Sequence, residues 1–295
     1  MPSAHITEAE RARRVARIRP VLACPECRGA LTYSLSEAHC EACARRYPIR
    51  HERIYFVDVP TREDDFDRVK GWLKRVLGQA YYTVGIRLFA PTFPLNFRRV
   101  VTRHVDPSSA LVVAAGSGNY RLHPDIISVD FFDYDAVDIV CTLDALPFRS
   151  GAIDAVVSRS VLEHVEDPGD VVRDFHRCTK IGGIGIHVIP FLFPAHSSPM
   201  DYHRLTPDGH DILFKCWEHV SRTNPTGPVT VALVHIIEVL STILGFGVAR
   251  LKTLSYLFLC GVLFPLKFLD VFFINRPAFM ISAASILSVV RKTSE

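Results

Sequence analysis

The chain has 295 residues, is 48% hydrophobic and carries a formal net charge of +3. That is enough apolar material for one sizeable core and a small accessory module. The charge excess is too small to announce, by itself, a nucleic-acid or membrane surface. Met1 to Arg19 is polar and Arg-rich, without the apolar run of a secretory signal. The scattered cysteines Cys141, Cys178, Cys216 and Cys260 are therefore read as small buried thiols of a cytoplasmic protein.

Thr7 with Glu10 reads as a capping box opening a short helix. Arg11, Arg13, Arg14, Arg17 and Arg19 come after it, read as a solvated helix face, with nucleic acid or lipid headgroups as the alternative. Cys24, Cys27, Cys40 and Cys43 then form C-x2-C-x12-C-x2-C. Two such knuckles let four thiolates converge tetrahedrally on one structural zinc. His39 is not needed as a ligand. A module this small rarely folds on core burial alone, so the metal would supply its stability. A carboxylate run (Glu63, Asp64, Asp65, Asp67) comes next, and residues 61–106 read as a linker with helices packing onto the larger C-terminal domain.

From residue 107 the pattern changes. Ala110–Ala115, Ile126–Asp130, Val137–Cys141, Ile153–Ser158 and Ile184–Pro190 read as short buried strands, with a helix over Val161–Lys180. Strands alternating with helices predict a parallel sheet covered on both faces. The first strand ends in the turn Gly116-Ser117-Gly118-Asn119, where the backbone can approach a ligand at a helix N-terminus. Val229–Phe246 and Leu254–Phe273 are strongly apolar, near the length of a bilayer span but carrying interior charges. Buried helices, a monotopic membrane-hugging hairpin and true spans are all compatible with that pattern. Ala278–Val290 reads as a closing strand, which makes 229–273 an insertion between the last two strands.

Several motifs carry a family resemblance. Leu22–Val57, with CPEC-RGAL, CEAC and YPI, resembles the zinc-ribbon domain of small proteins that activate methyltransferases, although IRHERIYF lacks that family's glycine and proline. The Gly116–Gly118 turn, Asp130, Leu146-Pro147-Phe148, Val161-Leu162-Glu163-His164-Val165 and Gly182-Gly183, in that order, resemble the methyltransferase type 11 family of class I S-adenosylmethionine enzymes over Ala110 to about Phe214. The resemblance implies that Gly116, Ser117 and Gly118 pass the methionine part of the cofactor and that Asp130 binds its ribose. Thr142–Leu146, including Asp144 and Leu146, would border adenine, and Ser158 and Ser160 would lie beneath the sulfonium. Ala114-Ala115 stand where that family often has an acidic residue, and Thr142 where it often has Asp.

PFLFPAHSSPMDYHRLTPDG resembles a stretch in a bacterial subset of the same family. By that resemblance His196, Asp201, Tyr202 and Arg204 hang over the strand ends where an acceptor sits. Arg204 with Asp201 also reads as an ion pair holding the loop. His164 and His196 are candidate general bases, being titratable near neutrality. The expected architecture is α/β: a Rossmann-like methyltransferase sheet with helices on both faces over 107–295, a small N-terminal zinc ribbon in 1–60, and an apolar helical insertion at 229–273. The expected activity is S-adenosylmethionine-dependent methylation of a small-molecule, lipid-linked or glycan acceptor, with peripheral contact at the inner face of a membrane through 229–273. RNA methylation and a non-catalytic adaptor are the alternatives, nucleic acid being disfavoured by the weak charge excess.

Overall fold

The computed structural model describes residues 6–59, 76, 88–195 and 200–294. Most of the expected linker at 61–106, including the carboxylate run, lies outside them. Helix α1 (Glu8–Ile18) starts at the expected capping box: Glu10 N–H donates to Thr7 Oγ1 at 3.2 Å, and Thr7 N–H donates to Glu10 Oε2 at 3.0 Å. The cysteine module comes next, with strands β1 (Leu31–Tyr33), β2 (Glu37–Cys40), β3 (Arg46–Arg50) and β4 (Arg53–Tyr55). After it come α2 (Phe97–His104), β5 (Val112–Ala115), β6 (Ile127–Asp130), β7 (Ile139–Val140), β8 (Ile153–Arg159), α3 (Pro168–Cys178) and β9 (Thr179–Pro190). The C-terminal part holds α4 (Pro207–Leu213), β10 (Glu218–Thr226), α5 (Pro228–Gly245), α6 (Ala249–Leu263) and β11 (Ser285–Arg291).

Among the described residues, eleven strands join one sheet in the order β1-β2-β3-β4-β7-β6-β5-β8-β9-β11-β10. Strands β7, β6, β5, β8 and β9 are parallel, and the β10–β11 hairpin closes one side antiparallel. The five parallel strands are apolar and buried along most of their length, as a sheet covered on both faces requires. The order reverses at β5 and β8, the switch point whose carboxyl ends open a ligand crevice. The cysteine module is not a separate bead. Its strand β4 runs parallel to β7, pairing Ile54 with Ile139 and Tyr55 with Val140, so the ribbon lengthens the sheet.

Several elements differ from the sequence expectation. The expected helix over Val161–Lys180 is a short 3-10 turn (Leu162–His164) and then α3, because Asp167 caps a new start at Pro168. Gly182-Gly183 lies inside β9, which begins at Thr179. Ala278–Ser282 is 3-10 rather than strand, and Cys216 is exposed rather than buried.

The largest difference is the absence of helix between β5 and β6 and between β6 and β7. Residues 116–126 and 131–138 are turns, shorter than the dozen or so residues a helical crossover takes. No helix therefore opens at the Gly116 turn. The bare face is instead covered from before the sheet: Val15 and Ile18 of α1 pack with Val113, Ala115, Ile127 and Val129. On the opposite face Phe97 and Val101 of α2 pack with Val112, Ala114 and Val157.

This use of α1 overturns the solvated-face reading of its arginines. Arg11 and Arg14 are buried. Arg14 Nε donates to Asp138 Oδ1 at 3.0 Å; Asp138 Oδ2 accepts from Arg121 Nη2 at 3.0 Å and from Ser128 N–H at 2.9 Å. Arg11 donates to the carbonyls of His51 and Asp135, and Arg17 to that of Ala110. A guanidinium taken from water needs such partners, and the loops that replace the missing helices supply them. Asp138→Ala leaves two buried guanidinium groups without their carboxylate. It should lower unfolding stability by about 3–5 kcal/mol, whereas Arg13→Ala, on the exposed Arg13–Asp125 pair, should stay within about 1 kcal/mol in the same urea titration.

Candidate functional site

The crevice forms where β5 and β8 end side by side, Ala115 being the partner of Ser158. The chain turns sharply after Ala115, and Gly116 and Gly118 both adopt positive φ, 63° and 55°. A Cβ on Gly116 would lie 2.5 Å from Val161 Cγ1, so the turn is pressed against the 3-10 segment after β8. A Cβ on Gly118 would meet nothing within 4 Å, so open space faces that backbone. Between them the Ser117 hydroxyl is buried and lacks a hydrogen-bond partner. An orphaned buried hydroxyl beside open backbone fits a bound polar ligand.

Asp130 fixes this turn. Its Oδ2 accepts from Gly118 N–H at 2.7 Å and its Oδ1 from Phe132 N–H at 3.0 Å. The carboxylate sits at the end of β6, where the resemblance places the ribose. Arg121 takes over the role of a crossover helix, donating to Ile126 O at 2.8 Å, to Asp138 and to the Ala136 carbonyl.

The other expected cofactor residues divide into two groups. Ser160, just past the end of β8, is exposed with a positive φ of 53°, and Asp144 is exposed as well. Ser158 and Leu146 are core residues. Leu146 is fully buried, and its amide donates to Asp174 Oδ2 at 2.7 Å. Ser158 Oγ lies 2.8 Å from His187 Nδ1, and His187 is stacked between Phe175 and Phe214 with ring centroids 5.6 and 5.0 Å away.

On the acceptor side, Arg204 and Asp201 form a two-point ion pair. Arg204 Nε also donates to Phe193 O at 3.0 Å, Nη1 to His203 O at 2.8 Å and Nη2 to Pro194 O at 3.1 Å. The guanidinium thus ties residues 201–203 to Phe193 and Pro194, just past the end of β9. Tyr202 is exposed, with its hydroxyl 3.4 Å from Glu166 Oε1. His196 lies outside the described residues. His164 Nδ1 faces the Met200 carbonyl. A carbonyl only accepts, so Nδ1 carries a proton and its ring is held in place.

Two residues that sequence pattern does not flag belong here. Glu163, between the apolar residues of the VLEHV motif, is fully buried, and burial pushes its carboxyl up to about 7. Its Oε1 is 3.7 Å from His164 Nε2, and its carbonyl accepts from Tyr202 N–H at 2.7 Å. Its signal was a lone carboxylate at the foot of the acceptor loop. The second is Asp174 of α3, which accepts from Leu146 N–H, from Arg177 and, at 3.2 Å, from Arg28 of the first cysteine knuckle. Asp174 joins the ribbon to the loop that borders the crevice.

The four cysteines come together as expected. Their sulfur atoms all lie within 4.8 Å of one another, with Cys24–Cys43 at 3.7 Å and Cys27–Cys40 at 3.4 Å. Four sulfurs about 2.3 Å from one tetrahedral centre stand roughly 3.8 Å apart, so the cluster has the size a zinc ion requires. Arg28 and Ala44, each just past a C-x2-C, take positive φ of 61° and 58° and close two matching knuckles.

Residues 91–186 match the protein family described as "Methyltransferase domain". Those residues form a methyltransferase domain. No curated protein matches the chain. Among solved structures, this methyltransferase is similar to phosphoethanolamine N-methyltransferase 2 of Haemonchus contortus, at 14% identity over 76% of this chain and 60% of that one, with a TM-score of 0.47. It is also similar to geranyl diphosphate C-methyltransferase of Streptomyces coelicolor, at 15% identity over 66% and 75%, TM-score 0.40. A third is the YcgJ protein of a Bacillus, at 14% over 68% and 99%, TM-score 0.42.

The buried imidazoles make the methyltransferase domain acid-sensitive. Burial pulls His187 from 6.5 down to about 3 and His210, 2.9 Å from Ser288 Oγ, down to about 4. Between those values and 6.5 the unfolded chain binds protons that the folded chain refuses. Stability is therefore complete above 6.5 and drains as pH falls toward 3. From pH 7 to pH 5 the loss should be about 2 kcal/mol per histidine, measured by urea unfolding, and His187→Phe should flatten the slope.

Proposed function

We propose that this methyltransferase transfers a methyl group from S-adenosylmethionine to a small-molecule, lipid-linked or glycan acceptor held beside Tyr202–Arg204, and that its four clustered thiols hold one structural zinc. The observation that carries the reading is the open space against Gly118, flanked by the unpartnered Ser117 hydroxyl and the Asp130 carboxylate. Asp130 Oδ1 and Oδ2 accept the Phe132 and Gly118 amides respectively, and a carboxylate oxygen has lone pairs for more than one donor. The ribose hydroxyls would be bound there.

Bound there, S-adenosylmethionine would supply an electrophilic methyl carbon for transfer to the acceptor's lone pair, with the sulfur as leaving group and the acceptor's proton passing to a base. Much of the rate comes from in-line positioning. The Arg204–Asp201 pair fixes residues 201–204, and Glu163 holds them to the 3-10 turn after β8 through its carbonyl. For a hydroxyl acceptor, His164 is the proposed base, its ring oriented by the Nδ1 contact to the Met200 carbonyl. The buried arginines of α1 argue against the RNA alternative, because Arg11 and Arg14 serve to dock the helix.

Two measurements test this reading. Calorimetric titration of the full chain should give micromolar binding of S-adenosylmethionine, weakened at least tenfold in Asp130→Ala. Absence of binding to a folded protein would favour the adaptor. Elemental analysis should find one zinc per chain, retained by His39→Ala and lost in Cys27→Ser. Stoichiometric zinc in Cys27→Ser would remove the four-thiolate assignment.

A further inference from the structure

The insertion between β10 and β11 is built inside out. Helices α5 and α6 form an antiparallel hairpin, and both α5 and Ala249–Phe272 are long and apolar enough to cross a membrane by length and composition. Near its root α5 buries Leu233, Val234 and Ile237, but toward the tip its buried residues are Ser241 and Gly245. Those of α6 are Thr253 and Cys260. A Cβ on Gly245 would lie 2.8 Å from Lys252 Cβ, so the helices approach closely there. The large side chains point outward: Ile243 is 59% exposed, Phe258 69% and Phe246, at the tip, 81%. Val239, Leu254, Val262, Leu269 and Phe272 extend the same surface. Small residues within a helix pair and large apolar ones around it are the arrangement of helices packed in lipid. A water-soluble hairpin shows the reverse.

The charges agree. Residues 229–275 contain Glu238, Arg250, Lys252, Lys267 and Asp270. Asp270 is buried at the root, accepting from Val229 and Thr230 N–H at 2.9 and 2.8 Å. Lys267 is buried there too, donating to the carbonyls of Leu88 and Ala90 at 2.7 Å. Glu238 and Lys252 pair at 2.6 Å. The root also carries a cationic flank. Phe93 N–H donates to Thr230 Oγ1 at 3.0 Å, which brings the segment leading into α2 against the start of α5. Helix α2 comes next, with Arg98, Arg99 and Arg103 exposed and no carboxylate. Apolar helices beside exposed cations suit an anionic bilayer surface.

We infer that the α5–α6 hairpin inserts into one leaflet of a membrane rich in anionic lipid and holds the crevice at the headgroup level. The inference stands on the hairpin alone and needs no particular methyl acceptor. The test is flotation of the full chain with vesicles of phosphatidylcholine, and of phosphatidylcholine with about a third phosphatidylserine, without cofactor. The full chain should float with both, at least tenfold more strongly with phosphatidylserine at low salt. The triple variant Ile243→Ser, Phe246→Ser, Phe258→Ser should lose at least tenfold in both. Arg98→Glu with Arg99→Glu should lose only the phosphatidylserine increment, which keeps the test valid if the triple variant misfolds. Wild-type chain that stays unbound, or that instead forms a dimer abolished by the triple variant, would overturn the inference. So would a folded triple variant that floats like wild type. Cofactor binding read separately by calorimetry distinguishes this failure from failure of the methyltransferase reading.

Discussion

One buried carboxylate, Asp138, accepts from three parts of the chain, and the architecture depends on it. Arg14 reaches it from α1, Arg121 from the turn after β5, and Ser128 N–H from β6. Breaking either arginine arm leaves a charge removed from water without its partner, which is far more costly than losing a surface pair. The contact does what crossover helices do in a longer α/β domain: it holds short loops down and covers the sheet. Because α1 belongs to the N-terminal module, that module cannot be detached without uncovering β5, β6 and β7.

The crevice inherits its shape from this arrangement. Without a helix after Gly116 the turn lacks the dipole that usually greets an anionic ligand. Asp130 and Arg121 pin it instead, and Val161 closes its back. The cysteine module is tied to the sheet through Arg28, Asp174 and the buried Leu146, while Ala23 N–H donates to Pro147 O at 3.0 Å.

Much of the architecture was legible in local pattern. The capping box, both cysteine knuckles, the buried strands and the placement of 229–273 between the last two strands all rest on short-range signals: side-chain caps, ligand spacing and apolar runs. What was not legible depends on partners distant in sequence. Arg11 and Arg14 sit in a run that reads as solvated until Asp138, far along the chain, is brought beside it. Lys267 and Asp270 read as charges inside an apolar stretch, and only the fold turns them into caps for Leu88, Ala90 and the start of α5. Helix-free crossovers were missed because the strand signals on either side were strong and the loops were filled by analogy. At the site, Asp130 and the glycine turn stand out in the sequence as parts of an ordered motif, whereas Glu163 and Asp174 act through burial, which no spacing reveals.

The most direct test of a single continuous body is native-state hydrogen exchange of the full chain before and after metal chelation. The Phe56 amide, which donates to Val140 O at 2.8 Å, and the amides of β6 and β7 report the junction. If the ribbon and the methyltransferase sheet are one unit, chelation should release protection in β4, β6 and β7 together. Loss confined to residues 22–57, with β6 and β7 still protected, would contradict it.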